Sequence, residues 1–237
     1  PGSCAMLGTA NTMSALSESL GMSLMGSSTI PAVLAARMAK GVETGEKIVE
    51  LVQKGVTTRD ILTEEAFENA VMHLLTMGGS TNGILHLQAI YHEAGLGELP
   101  LSVFDEFSRK TPQVASIYPA SEFDMVDFYE GGGVPAVLKE IEEYLHKDTL
   151  TVSGLTMGEA LSRFSYTNNR NMIKTAEEPF APTGGVAILK GNIAPLGCVI
   201  KPAAVPKHMF RYSGRAQVFT TEEESYQAVL EGRVKPG

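Results

Sequence analysis

The stretch TEEAFENAVMHLLTMGGSTNGILHLQAI, residues 63–90, decides how this chain folds. Thr63 has a hydroxyl suited to capping a helix N-terminus, and Glu64 and Glu65 complement the positive end of the helix that follows. The spacing predicts a helix from Glu64 to Met77. Gly78-Gly79 interrupts it, and Ser80 restarts the chain for a second helix through Ile84, Leu87 and Ile90. Two helices joined by a glycine pair point to a helix-rich core.

The same pattern extends in both directions. Met13, Leu16 and Leu20 share a face from Asn11 to Leu20, and Gly21 is a C-cap candidate. Pro31, after Ser27, Ser28 and Thr29, suits the first turn of a helix running through Arg37 to Lys40. A separate helix is predicted from Glu46 to Lys54, with Ile48, Leu51 and Val52 on one face and Gly55 as its stop. Ser102 with Asp105 resembles a capping box. Pro135 opens a helix to His146 that carries Val137, Leu138, Ile141 and Leu145 inward. Between Asp148 and Arg170 the texture changes. Short β-branched runs then follow at Val186–Lys190, Cys198–Lys201 and Ala216–Phe219, with turn residues at Gly191-Asn192. One further helix is expected from Glu222 to Leu230, capped by Thr221 and stopped by Gly232, and residues 234–237 read as the approach to another strand. The predicted class is α/β: a helical or α/β domain over residues 1–165, then part of a β-rich domain over residues 166–237.

Composition narrows the function. The 237 residues are 43% apolar and 19% charged, an ordinary globular balance. A net charge of −8 and a pI near 5.2 argue against nucleic acid as a partner. No apolar run is long enough to cross a bilayer, and Pro1-Gly2-Ser3-Cys4 is not a signal peptide. With no initiator methionine, the sequence reads as a piece of something longer. Two cysteines, Cys4 and Cys198, are too few for a disulfide scaffold and suit a reducing cytoplasm.

Cys4 heads the list of chemistry-bearing residues. A cysteine among flexible residues just ahead of a helix start is either a metal ligand or a nucleophile, whereas the bland alternative is an inert, buried thiol. Cys198 lies in an apolar strand pattern and reads as core. Gly78-Gly79-Ser80-Thr81-Asn82 lacks the lysine of a phosphate-binding loop, so it is either an anion site at a helix start or an ordinary glycine break. Gly131-Gly132-Gly133 has the same two readings. His86, among apolar neighbours, reads as a core histidine. Asp124 and Asp127 either cap the next segment or bind a cation.

The order of these motifs carries more than any one of them. Pro1–Cys4 through Thr9–Met13 resembles the third cysteine motif of the dihydroxy-acid and phosphogluconate dehydratase family. Gly78–Asn82 with Leu85-His86-Leu87 is similar to the family's next signature. Segments 127–135, 146–154 and 184–202, together with Gly214–Phe219, continue in the family's order. The resemblance implies a three-layer α/β domain carrying an iron–sulfur cluster (2Fe-2S or 4Fe-4S) and magnesium, followed by a β-barrel domain. It implies a hydro-lyase that converts a 2,3-dihydroxy or sugar acid to a 2-oxo acid, working as a homodimer or homotetramer.

On this resemblance Cys4 matches a cluster ligand, while Asn11, Ser80, Thr81 and Asn82 are candidates for lining the substrate site. The resemblance places the other two cluster cysteines, the magnesium-binding aspartates and a modified lysine before Pro1, and a glutamate ligand and the serine proposed as base after Gly237. The piece alone is therefore expected to be inactive and to hold neither group stably. Gly21–Leu24, Ile30–Val33 and Met125–Tyr129 look more like the aldonic-acid branch. The dihydroxy-acid enzyme of branched-chain amino-acid synthesis is the alternative. A non-catalytic domain fragment and a cysteine-nucleophile hydrolase are the competing readings from other classes.

Overall fold

The computed structural model describes residues 4–164 and 169–235. Pro1–Ser3, the 165/166 domain boundary expected from the sequence, and the last two residues of the expected terminal strand lie outside them. The chain divides into two compact units, 1–204 and 205–237.

In the first unit the elements run α1 (Thr9–Ser19), α2 (Ala35–Lys54), α3 (Thr58–Ile61), α4 (Glu64–Met77), α5 (Asn82–Glu93), α6 (Leu101–Lys110), α7 (Met125–Glu130), α8 (Gly133–Glu140) and α9 (Met157–Ser162), then strands β1 (Ala187–Leu189) and β2 (Cys198–Ile200). Helix α4 lies at the centre, buried on every side from Ala66 to Met77 except at Glu68. Its Phe67, Ala70, Val71, Leu74 and Leu75 pack with Leu16 of α1 and the adjoining Leu20, Ile84 and Leu87 of α5, and Phe104 of α6. Its Met72 and Met77 join a second cluster built on Val137 and Leu138 of α8 and Phe128 of α7. Burying a helix all round forces its polar residues to find partners inside. Asn69 donates to the carbonyl of His146 at 3.0 Å and accepts from its N–H at 2.8 Å, tying α4 to a segment 77 residues away. The Thr76 hydroxyl donates to the carbonyl of Pro112 at 2.7 Å.

The caps read from the sequence at Thr63 and Thr221 are present: each hydroxyl accepts the N–H three residues on, at 3.3 and 3.2 Å. Val137, Leu138, Ile141 and Leu145 are all buried as expected, but the helix expected to reach His146 ends at Glu140 and a 3₁₀ turn at Glu142–Tyr144 follows. Several expectations are corrected. The two helices predicted over 31–40 and 46–54 are one helix, α2, running straight through Gly41 and Gly45. Glycine in a helix costs only about 1 kcal/mol relative to alanine. The pairs Lys40–Glu43 at 2.7 Å and Lys47–Glu50 at 2.6 Å brace the turns on either side. Ser102 and Asp105 form no capping box: α6 starts after Pro100, and Asp105 instead pairs with Arg109 at 3.0 Å. His86 is exposed, and the core histidine is His73 of α4. Cys198, read as core, is also exposed.

Among the described residues the sheet is small. β1 and β2 pair antiparallel with Ile188 opposite Val199. The α/β expectation therefore resolves to a helix-rich fold with a two-stranded sheet. In the second unit, α10 (Glu222–Leu230) follows a 3₁₀ turn at Lys207–Met209. Ala216–Phe219, expected as a strand, forms none: a strand requires a hydrogen-bonding partner as well as propensity, and Val218 is 83% exposed. Among the described residues no helix is long and apolar enough to cross a membrane.

Candidate functional site

The segment ahead of α1 is held from both sides. Asn11, in the first turn of α1, is buried, and its side-chain amide donates to the carbonyls of Cys4 at 2.6 Å and Met6 at 2.8 Å. Both amide protons are thereby spent on the loop's own backbone. Across the loop, the N–H of Leu7 donates to the carbonyl of Tyr118 at 2.8 Å, and the N–H of Met125 donates to that of Ala5 at 2.9 Å. The Cys4 thiol is exposed, which removes the reading of an inert, buried cysteine.

Cys4 and Asn11 open onto a cleft of about 340 Å³ that Thr29, Pro31, Asp124 and Val126 also line. Thr29 and Pro31 reach the cleft because the preceding loop is latched to α1. Buried Glu18 accepts the N–H of Gly26 at 2.6 Å and of Ser28 at 2.7 Å. Burial pushes the Glu18 carboxyl up to about 7, against the opposing pull of those donors. Asp124 and Asp127 cap α7 reciprocally, with Asp124 Oδ1 accepting from Val126 N at 2.7 Å and Asp127 Oδ2 accepting from Asp124 N at 2.8 Å. Of the two sequence readings for this pair, capping is the one the geometry provides.

The glycine pair is a packing device that joins two helix starts. Gly78 ends α4 at φ +64°, a left-handed conformation that favours glycine. A methyl group on Gly79 would sit 2.7 Å from Leu74 Cδ1 and 2.9 Å from Thr12 Cγ2. This close approach lets Ser80 N donate to Thr12 Oγ1 at 3.0 Å and Asn82 Nδ2 donate to Thr9 Oγ1 at 2.7 Å. The Ser80 hydroxyl also accepts Asn82 N at 3.2 Å, and Thr81 is the half-buried residue before α5. So the structure brings the Cys4 motif and the Gly78–Asn82 motif together through α1. Ser80, Thr81 and Asn82 nevertheless do not line the Cys4 cleft; of the candidates, Cys4 and Asn11 do.

Sequence reasoning missed Thr29, Pro31 and Val126 as cleft residues. A partial signal existed in Gly131–Gly133: a methyl on Gly133 would lie 2.7 Å from Thr29 Oγ1, so the glycine keeps Thr29 in place. Two larger hollows, about 450 and 510 Å³, are lined mainly by charged surface residues around His146 and around Glu142 and hold no cysteine. Among the described residues no three His, Cys, Asp or Glu side chains gather to hold an ion. The exposed thiol of Cys4 fits a cluster as one ligand of several, and a cluster needs several thiolates.

Comparison with known proteins places the whole chain. The family described as dihydroxy-acid/6-phosphogluconate dehydratase, N-terminal, matches residues 1–160, and its C-terminal counterpart matches 171–237. Dihydroxy-acid dehydratases of Ignicoccus hospitalis and Methanococcoides burtonii are each 47% identical over the full chain, which spans 43% of each relative. That of Thermodesulfovibrio yellowstonii is 46% identical, again over the full chain and 42% of the relative. The chain thus spans less than half the length of these relatives. Their names favour the dihydroxy-acid alternative over the sugar-acid branch that the sequence reading preferred. With both halves matched in order and every residue range of the cleft inside the match, the chain belongs to the dihydroxy-acid/6-phosphogluconate dehydratase family.

Proposed function

We propose that this chain is part of a dihydroxy-acid dehydratase, a hydro-lyase that removes water from a 2,3-dihydroxy acid to give a 2-oxo acid. The observation that carries this reading is the similarity of the whole of this chain, at 46–47% identity, to under half the length of relatives bearing that name. The reaction takes a proton from C2 and expels the 3-hydroxyl, and the resulting enol becomes the 2-oxo acid. Hydroxide is a poor leaving group, so such an enzyme needs an electrophile at the departing oxygen.

Cys4 is the residue of this chain that we place on an iron–sulfur cluster, as one thiolate among ligands supplied from elsewhere in the longer polypeptide. When bound, the cluster would supply a Lewis acid for the leaving hydroxyl. What the chain itself does is positional. Asn11 fixes the Cys4 carbonyl, α1 anchors the loop, and the Glu18 latch sets the Thr29–Pro31 wall of the cleft. Ser80 and Asn82 donate to Thr12 and Thr9 of α1, so we assign these two to support of the site. Among the described residues, no cluster of three or more His, Cys, Asp or Glu side chains is present to hold a magnesium ion. We further read residues 1–165 as the C-terminal part of the cluster-bearing domain and 166–237 as the first part of the barrel, in a cytoplasmic enzyme.

The test uses the longer polypeptide, purified without oxygen and supplied with iron, sulfide and magnesium. Formation of 2-oxo acid is followed from 2,3-dihydroxy-3-methylbutanoate and from a C5 or C6 aldonate. Preference for the branched substrate is expected. Turnover of the aldonate alone returns the protein to the sugar-acid branch, and turnover of neither removes the dehydratase reading. The 237-residue chain alone is expected to turn over neither.

A further inference from the structure

The Glu18 carboxyl is closed inside the fold by its own chain. It lies in the last turn of α1 and is 0% exposed, so the atoms that bury it all belong to these 237 residues. Residues 24–31 strap over it. Leu24, Met25 and Ile30 are buried anchors. Between them Gly26 N donates to Glu18 Oε2 at 2.6 Å and Ser28 N donates to Oε1 at 2.7 Å. Each carboxyl oxygen therefore carries one strap amide. At Gly26, with φ +74°, a methyl group would fall 2.7 Å from Phe164 Cε1, so the strap runs tight against the core. Its far end supplies Thr29 and Pro31 to the cleft beside Cys4.

The surroundings disfavour a charge on this carboxyl. Two amide donors favour the ionised form, but complete burial opposes it, and so does the negative end of the α1 dipole. Burial prevails, raising the group from 4.5 to about 7. Among the described residues Glu18 has no ion-pair partner: Lys40 of α2, the cation whose charge acts on it, is held by Glu43 at 2.7 Å. Lys40 and Glu43 share a hollow with Leu24, Met25, Leu155 and Arg163. From α4 the nearest titratable group is His73, which meets the neighbouring Ser19 and is itself lowered by burial. Helices α5 and α8 pack through apolar residues; His86, His92 and Glu93 are exposed, and Lys139 and Glu140 pair with Glu142 and Arg170. Lifting the strap lets water reach the carboxyl and returns it to its ordinary acidity. A closed strap thus holds a proton that an open one gives up to water, and opening becomes easier as pH rises from 4.5 to 7.

We propose that residues 24–31 are a proton-coupled strap on the Cys4 cleft: closed over protonated Glu18 they hold Thr29 and Pro31 in the cleft wall, and as Glu18 ionises they open to hydrate it and loosen that wall. Glu18 is thereby a positioning residue, and the wall is firmest on the acid side of neutrality. The strap, its anchors and the carboxyl all lie within this chain, so the proposal holds whatever reaction the cleft serves.

Hydrogen exchange of the longer polypeptide tests it, resolved at the amides of Gly26, Ser28 and Ile30 and corrected for the intrinsic pH dependence of exchange. Ile30 N, 3.4 Å from the Ser27 carbonyl, reports the wall itself. Protection at all three should fall roughly 30-fold from pH 5 to pH 7 and only about twofold more by pH 8. In Glu18→Gln, which cannot ionise, the profile should be flat. At every pH the three amides should be less protected than those of Leu74 and Leu75 in α4, because the strap opens without the core unfolding. A flat wild-type profile, an equal fall in Glu18→Gln or constant protection at Ile30 overturns the proposal. So does protection equal to that of α4, which would make the event global unfolding. If Glu18→Gln does not fold, the wild-type profile and its comparison with α4 still decide.

Discussion

Replacing Asn11 with alanine tests whether the Cys4 loop is held in the way the geometry indicates. The substitution removes two hydrogen bonds to main-chain carbonyls, at 2.6 and 2.8 Å, and leaves those carbonyls short of a buried donor. Each lost bond is worth about 1 kcal/mol, and an unsatisfied carbonyl adds further cost, so the loop should lose about 2–4 kcal/mol of attachment. Because residues 4–8 are otherwise pinned by two backbone bonds, the loss should appear as local opening of the loop. The amides of Leu7 and Met125, which donate to Tyr118 and Ala5, report that opening directly by hydrogen exchange. Their protection should fall about 30-fold or more, since each 1.4 kcal/mol is a factor of ten. Amides at the centre of α4 should change much less. Asn11→Asp should be worse than alanine at neutral pH, because it sets a carboxylate against two carbonyl oxygens. Unchanged protection at Leu7 and Met125 in Asn11→Ala, or wild-type protection in Asn11→Asp, would refute the clamp.

Two buried titratable groups oppose each other in the pH dependence of stability. Glu18 is raised from 4.5 to about 7, so the native state holds a proton that the unfolded chain releases. Its contribution is fully present below pH 4.5 and is lost as pH rises to 7, a swing on the order of 3 kcal/mol. The wild-type minus Glu18→Gln difference in urea midpoint should therefore shrink from pH 4.5 to pH 7.5, and a constant difference would contradict it. His73, its Nδ1 3.0 Å from Ser19 Oγ, is lowered from 6.5 to about 3 by burial. Its contribution is present above pH 6.5 and is lost on acidification, so His73→Leu should flatten the acid limb of the same titration. Gly79→Ala should destabilise the chain by about 1–3 kcal/mol in thermal melts, because the added methyl lands on Leu74 and Thr12. Gly41→Ala should stabilise an isolated chain by up to about 1 kcal/mol, its Cβ entering open space.

Much of the local structure could be read from residue order, because its causes are local. The caps at Thr63 and Thr221, the stops at Gly55 and Gly78, and the inward face of α8 each depend on neighbours within a turn or two. The ordered motifs also identified the family. What required the fold were questions of contact between distant segments. Sequence periodicity put His86 in the core and left His73 unremarked, yet α4 is enclosed on all sides and α5 on one, and this alone settles which histidine is buried. A glycine run could not tell an anion site from a close approach until Thr12 was found against Gly79. Likewise the outward turn of the apolar side of α2 depends on which face meets residues 153–164, a fact no helical wheel contains. Sequence alone determined most of the helices, several of their ends and the family, because capping, periodicity and motif order act over short spans. Tertiary structure decided burial, the cleft at Cys4 and which side of α2 packs on residues 153–164, because these depend on which distant surfaces exclude water from one another.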